Sequence, residues 1–88
     1  MSKLVRMMIQ DTCPYCKRAF EMMDELRAEH PEYRGVDVEV IDENREPELA
    51  DSLDYWYVPT FFVDGRKILE GVPTREKVGR VFREALKN

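Results

Sequence analysis

The sequence predicts an α/β domain in the order β-α-β-α-β-β-α, with a four-stranded mixed sheet flanked by helices. Three observations carry that prediction. A short apolar run, "KLVRMMI" (Lys3 to Ile9), leads into an amphipathic helical pattern and then a second strand-like run, which is the pattern of a parallel crossover. "TFFV" and "RKILE" flank Asp64-Gly65, a strong tight-turn signal for an antiparallel pair. Finally, the chain closes on an apolar stripe at helical spacing, covering Val78, Val81, Phe82, Ala85 and Leu86.

Each element follows from its residues. Lys3 to Ile9 is mostly apolar and suits a strand covered on both faces. In "CPYCKRAFEMMDELRAEH" the residues Cys16, Ala19, Phe20, Met23 and Leu26 fall on one helical face. Lys17, Glu21, Asp24 and Glu25 lie off it. Pro14 fits the first turn, where its missing N–H costs nothing, so the helix starts at the cysteine pair and ends before Pro31. "VDVEV" (Val36 to Val40) alternates and reads as a strand with one face toward water. Asn44 is placed to cap a short helix entered through Pro47, with Leu49, Ala50 and Leu53 inward. Thr60 to Val63 and the returning "RKILE" make the hairpin, and Thr74 caps the last helix.

The bulk properties bound the function. The 88 residues make one domain, 1–88, with a modest core. Hydrophobic residues at 43% and aromatics at 10% mark a globular chain, and the net charge of −4 shows no basic stripe, so no nucleic-acid partner is expected. No apolar run approaches the ~20 residues that cross a bilayer, so no membrane is expected. The first residues are too densely charged for a signal-peptide core, which makes the cytoplasm the expected location. A monomer is expected.

The chemistry sits in "TCPYC", which holds the only two cysteines, Cys13 and Cys16. A helix N-terminus stabilises a thiolate through free N–H groups and the helix dipole, and Cys13 lies nearest that end. Cys16, one turn on, falls on the buried stripe. This asymmetry makes Cys13 the nucleophile toward a substrate disulfide and Cys16 the thiol that resolves the mixed disulfide. Pro14 stiffens the turn, Tyr15 points outward to the site rim, and Lys17 is placed to support the Cys13 thiolate. Asp11 carries the opposing sign. A CxxC pair is also half of a zinc site, but zinc needs two further ligands, and the chain offers one histidine, His30, expected as a solvated residue at the helix end. No metal site is assigned; a dimer sharing Cys13 ligands for an iron–sulfur cluster or metal is the alternative reading. The aromatic run Tyr55 to Tyr57 suits either packing over the sheet end or docking of partners.

With CPYC between a strand and a helix, and "YVPT" (Tyr57 to Thr60) before "FFVDG", the chain resembles a glutaredoxin of the thioredoxin-fold superfamily. The resemblance implies a thioredoxin-like fold and a cis peptide at Val58–Pro59 facing the cysteines, with Tyr57, Val58 and Pro59 holding an extended substrate. It also implies disulfide-containing proteins as substrates and no permanently bound cofactor. Reducing equivalents would come from glutathione as cosubstrate or from a flavoprotein reductase. In glutaredoxins a Gly-Gly and a nearby acid hold the γ-glutamyl end of glutathione. Here Gly71 matches the first glycine, Val72 and Pro73 follow, and Thr74 stands where the acid would be. Gln10 and Asp11 replace a frequent basic residue, leaving Arg45 and Arg66 to compensate. Weak glutathione binding is the expectation. Thioredoxin's own WCGPC is missing, and Met7 stands in place of its buried acid.

Overall fold

The computed structural model describes residues 2–87. Strand β1 (Val5–Ile9) leads to helix α1 (Pro14–Glu29), and a 3-10 turn (Pro31–Gly35) connects to β2 (Val38–Asp42). Helix α2 (Pro47–Asp51), strands β3 (Thr60–Val63) and β4 (Arg66–Glu70), and helix α3 (Arg75–Leu86) complete the chain. The sheet order is β2-β1-β3-β4. β1 and β2 pair in parallel, whereas β1–β3 and β3–β4 pair antiparallel, so the sheet is mixed as the crossover and hairpin signals require. Asp64 and Gly65 both have positive φ, 48° and 81°, which matches the twist of a two-residue hairpin turn.

The two middle strands are buried on both faces. Met7 faces a core made with Ala19, Met23, Leu26, Phe61 and Phe82, under α1 and α3. Its neighbour Met8 faces the opposite cluster with Ile41, Ala50 and Phe62, under α2, where Leu49 and Leu53 pack partly buried. Arg75 ties the two helices of the first layer, donating to Glu25 at 2.9 Å and to Glu29 at 2.6 Å.

Several local expectations shift. β1 begins at Val5, while the Lys3 N–H bonds to the Ala85 carbonyl at 2.8 Å. β2 runs from Val38 to Asp42 instead of Val36 to Val40. Ile41 is buried on the α2 face and Val40 is exposed, so the strict alternation misplaces the strand. Glu46, not Asn44, is the α2 cap residue; the Asn44 N–H is taken by Asp42 Oδ1 at 2.9 Å, closing a turn of its own. In α1, Met22 joins the buried stripe and Phe20 is only half-buried. In α3, Leu86 is exposed and Glu84 is buried. His30 ends α1 as expected, yet it is half-buried with its ring 4.9 Å from Tyr33.

Candidate functional site

The strand order decides what meets the cysteines. Ile9 ends β1 beside Asp42 at the end of β2, and Met8 pairs with Thr60 at the start of β3. Thr60 in turn pairs with Glu70 at the end of β4. The segments that follow β1, β2 and β4, and the one that precedes β3, therefore converge at one end of the sheet. They are Gln10 to Cys13, Glu43, Gly71, and Tyr55 to Pro59.

Cys13 is the N-cap residue of α1, in extended geometry, with Pro14 at the first helical position. Its N–H bonds to Gln10 O and its carbonyl accepts from Lys17 N, both at 3.2 Å. No side chain among the described residues caps this end, so the first-turn N–H groups remain available to an anion at Sγ. Cys13 is half-buried, whereas Cys16 is 2% exposed. Both are free thiols. Burial pushes the Cys16 thiol up to about 12, the neighbouring Cys13 and Glu43 add to the rise, and a backbone hydrogen bond from Gln10 opposes it. The buried thiol stays protonated at neutral pH.

Across from the pair, the Val58–Pro59 bond is cis, as the resemblance implies. The Cys13 thiol donates to the Val58 carbonyl at 3.8 Å. Pro59 is buried, its carbonyl accepts from the Gly71 N–H at 2.9 Å, and the Thr60 hydroxyl donates to Tyr57 O. Gly71 has φ 85°, and a side chain there would approach the Tyr57 Cβ to 3.9 Å. Glycine is favoured at that corner because its φ is positive.

The aromatic run divides. Tyr55 packs edge-on against Phe62 and donates its hydroxyl to Glu43 Oε1 at 2.7 Å. Trp56 and Tyr57 stand in solvent, 83% and 70% exposed, and Tyr15 is half-exposed on the α1 side. A cavity of about 380 Å³ opens between α2 and this run, walled by Glu43, Asp51 and Trp56. Neither cysteine lines it.

The other residues that the sequence singles out are not all drawn to this site. Lys17 contacts Cys13 only through its backbone, and its side chain is exposed. Thr74 caps α3, its hydroxyl accepting from Lys77 N at 3.1 Å; among the described contacts none ties it to the cysteines. Arg66 pairs with Val63, which sits beside Val5 at the opposite end of the sheet, so it cannot compensate at the site. Arg45 is on the correct end but exposed and 4.0 Å from Asp42. Two carboxylates escape sequence reasoning. Glu43 accepts from both the Gln10 amide and Tyr55, and Glu70 accepts from the backbone of Trp56 and Tyr57. Neither carries a local signal for these contacts, because these four partners lie 12 to 33 residues away.

A helix-capping cysteine, a buried second cysteine and a facing cis-proline on this mixed sheet define a dithiol protein of thioredoxin-like fold. The family profile described as thioredoxin domain matches residues 3–83, and the chain belongs to that family. It is a redox protein of the family. It is 36% identical over 67 residues to a probable thioredoxin of Methanothermobacter thermautotrophicus, covering 76% of each chain. A thioredoxin of Methanocaldococcus jannaschii is 29% identical over 87 residues, covering 98% of this chain and 100% of the relative. Among solved structures, the oxidised thioredoxin of Plasmodium falciparum superposes with a TM-score of 0.70 at 16% identity, over 94% of this chain and 80% of that one. A second structure, of a malarial protein, gives 0.70 at 13% identity, over 99% and 100%. These two likenesses concern the fold.

Among the described residues no helix is long and apolar enough to cross a membrane. No group of three or more His, Cys, Asp or Glu side chains among them is arranged to hold a metal ion.

Proposed function

We propose that this chain reduces protein disulfides through Cys13 and Cys16, drawing electrons from a flavoprotein reductase more efficiently than from glutathione. The observation that carries the reading is the Cys13 thiol set 3.8 Å from the Val58 carbonyl, at the sheet end where an extended peptide would lie. The Val58 backbone offers a substrate strand its polar groups, and Cys13 lies next to that strand's disulfide.

The step balances as an exchange. The Cys13 thiolate attacks one sulfur of the substrate disulfide, forming a new S–S bond and expelling the other sulfur as a thiolate that takes up a proton. Cys16 then loses its proton and attacks Cys13 Sγ, releasing the second substrate thiol and leaving a Cys13–Cys16 disulfide. The substrate gains two electrons and two protons. The reductase returns them to the pair.

The choice of donor rests on residues 71–74. Val72 is exposed bulk, Pro73 lacks an N–H, and the Thr74 hydroxyl already holds the Lys77 N–H. This corner therefore offers a γ-glutamyl group little, and the two relatives above are named probable thioredoxin and thioredoxin. The CPYC dithiol keeps glutathione as a poor cosubstrate. The test is NADPH oxidation with insulin as acceptor, coupled either to a thioredoxin reductase or to glutathione with its reductase. Faster turnover in the first arm is expected; equal or faster turnover in the glutathione arm would overturn the donor assignment.

A further inference from the structure

We propose that Glu70 is a positioning residue for substrate recognition: its carboxylate pins the Trp56–Tyr57 backbone and thereby presents both aromatic side chains and the Val58 carbonyl to a protein disulfide. The inference rests on the proposed disulfide reduction and adds to it the group that shapes its docking surface. One oxygen, Glu70 Oε2, accepts from two consecutive backbone N–H groups, those of Trp56 and Tyr57, the latter at 2.9 Å. The other oxygen pairs with Lys67 Nζ at 2.9 Å, and the same ammonium donates to the Asp54 carbonyl at 3.2 Å. Three residues of one loop are thus tied to side chains of β4. Hydrogen bonds to a charged acceptor are the stronger kind, and two from adjacent N–H groups leave the loop little freedom to turn over.

The consequence reaches the site through two short links. With their N–H groups turned toward Glu70, Trp56 and Tyr57 carry their rings outward, 83% and 70% exposed. Large aromatics held out this far, just before the peptide that meets Cys13, are suited to anchor a partner. Directly after Tyr57 comes Val58, whose carbonyl faces Cys13. Tyr57 O is also held, by the Thr60 hydroxyl. Glu70 therefore sets the conformation of the peptide that meets the substrate, without touching either sulfur. Its carboxyl is held down at about 2, by Lys67 first and then by the two backbone N–H groups, so the latch is charged at working pH.

The occupant this surface fits is an extended protein segment with a bulky apolar side chain near its disulfide. A small disulfide needs only the two cysteines and has no use for the aromatic pair. Steady-state reduction of insulin and of 5,5′-dithiobis(2-nitrobenzoate) by the wild type, Glu70→Ala and Glu70→Gln separates the two. KM for insulin should rise about tenfold in Glu70→Ala, the effect of losing a charge-assisted contact's worth of order, with kcat changed much less. Glu70→Gln, which keeps a neutral acceptor, should fall between. The rate with the small disulfide should stay within about twofold in both variants. Variants that match an active wild type on insulin, or that lose both substrates equally, would overturn the inference alone. A wild type that reduces neither substrate would overturn the underlying reading as well.

Discussion

Cys13 and Cys16 have the same side chain and different surroundings, and the roles proposed for them rest on that difference. Cys13 caps a helix whose first N–H groups have no side-chain partner, so an anion at Sγ meets aligned donors. Cys16 is buried one turn deeper, and desolvation pushes its pKa up to about 12. A raised thiol pKa means the neutral form is favoured in the folded state, so the contribution to stability is complete below pH 9 and is lost as pH rises toward 12. Burial, the main cause, persists when Cys13 is replaced. In Cys13→Ser protein, iodoacetamide should therefore alkylate Cys16 slowly at pH 9, where an ordinary thiol of pKa ~8.5 is mostly ionised. The rate should still be climbing above that pH. A plateau near pH 9 would contradict the assignment. The placement of the cysteine pair, one at the helix start and one buried a turn on, is legible in the sequence because it depends on local spacing. Glu70 is not, because its meaning comes from Trp56 and Tyr57, brought to it by strand pairing.

At the scale of elements, the same distinction explains which boundaries are readable. The β3–β4 hairpin lies where the sequence puts it because Asp64-Gly65 encodes its own turn. α1 is readable from Pro14 at its start and α3 from its Thr74 cap, each with an apolar stripe along the helix. β2 is shifted because its burial is set by two different layers: Val36 and Val38 pack toward α1 and α3, Ile41 toward α2. The 3-10 turn has no local signature because Tyr33 is organised by tertiary partners, stacking on Phe82 at 4.8 Å while Arg27 holds the Val36 carbonyl at 2.8 Å. The start of α3 shows how much a purely local signal contributes. Thr74 supplies the cap to Lys77 N, and Thr74→Ala should lower unfolding stability by about 1 kcal/mol without shifting the denaturant slope. Urea denaturation measures it, and an unchanged midpoint would show that the cap contributes nothing.

On the scale of the whole molecule, the strand order β2-β1-β3-β4 gathers chemistry from four distant stretches of chain at one sheet end. The parallel β1–β2 pair brings Glu43 beside the exit of β1, where its N–H bonds Ile9 O at 3.0 Å. The antiparallel β1–β3 pair brings Val58 to Cys13, and β4 returns Glu70 and Gly71 to the same loop. Fold class and the dithiol are legible in the sequence; the carboxylates that order the site depend on this convergence. Everything proposed for the site stands on one division of labour, in which Cys13 attacks and Cys16 resolves. The direct measurement is mass spectrometry of Cys16→Ser and Cys13→Ser proteins after exposure to a disulfide substrate, with peptide mapping of the adduct. A stable mixed disulfide on Cys13 in Cys16→Ser, and little adduct in Cys13→Ser, is the expected result. An adduct on Cys16 in Cys13→Ser, with none on Cys13 in the other protein, would contradict it.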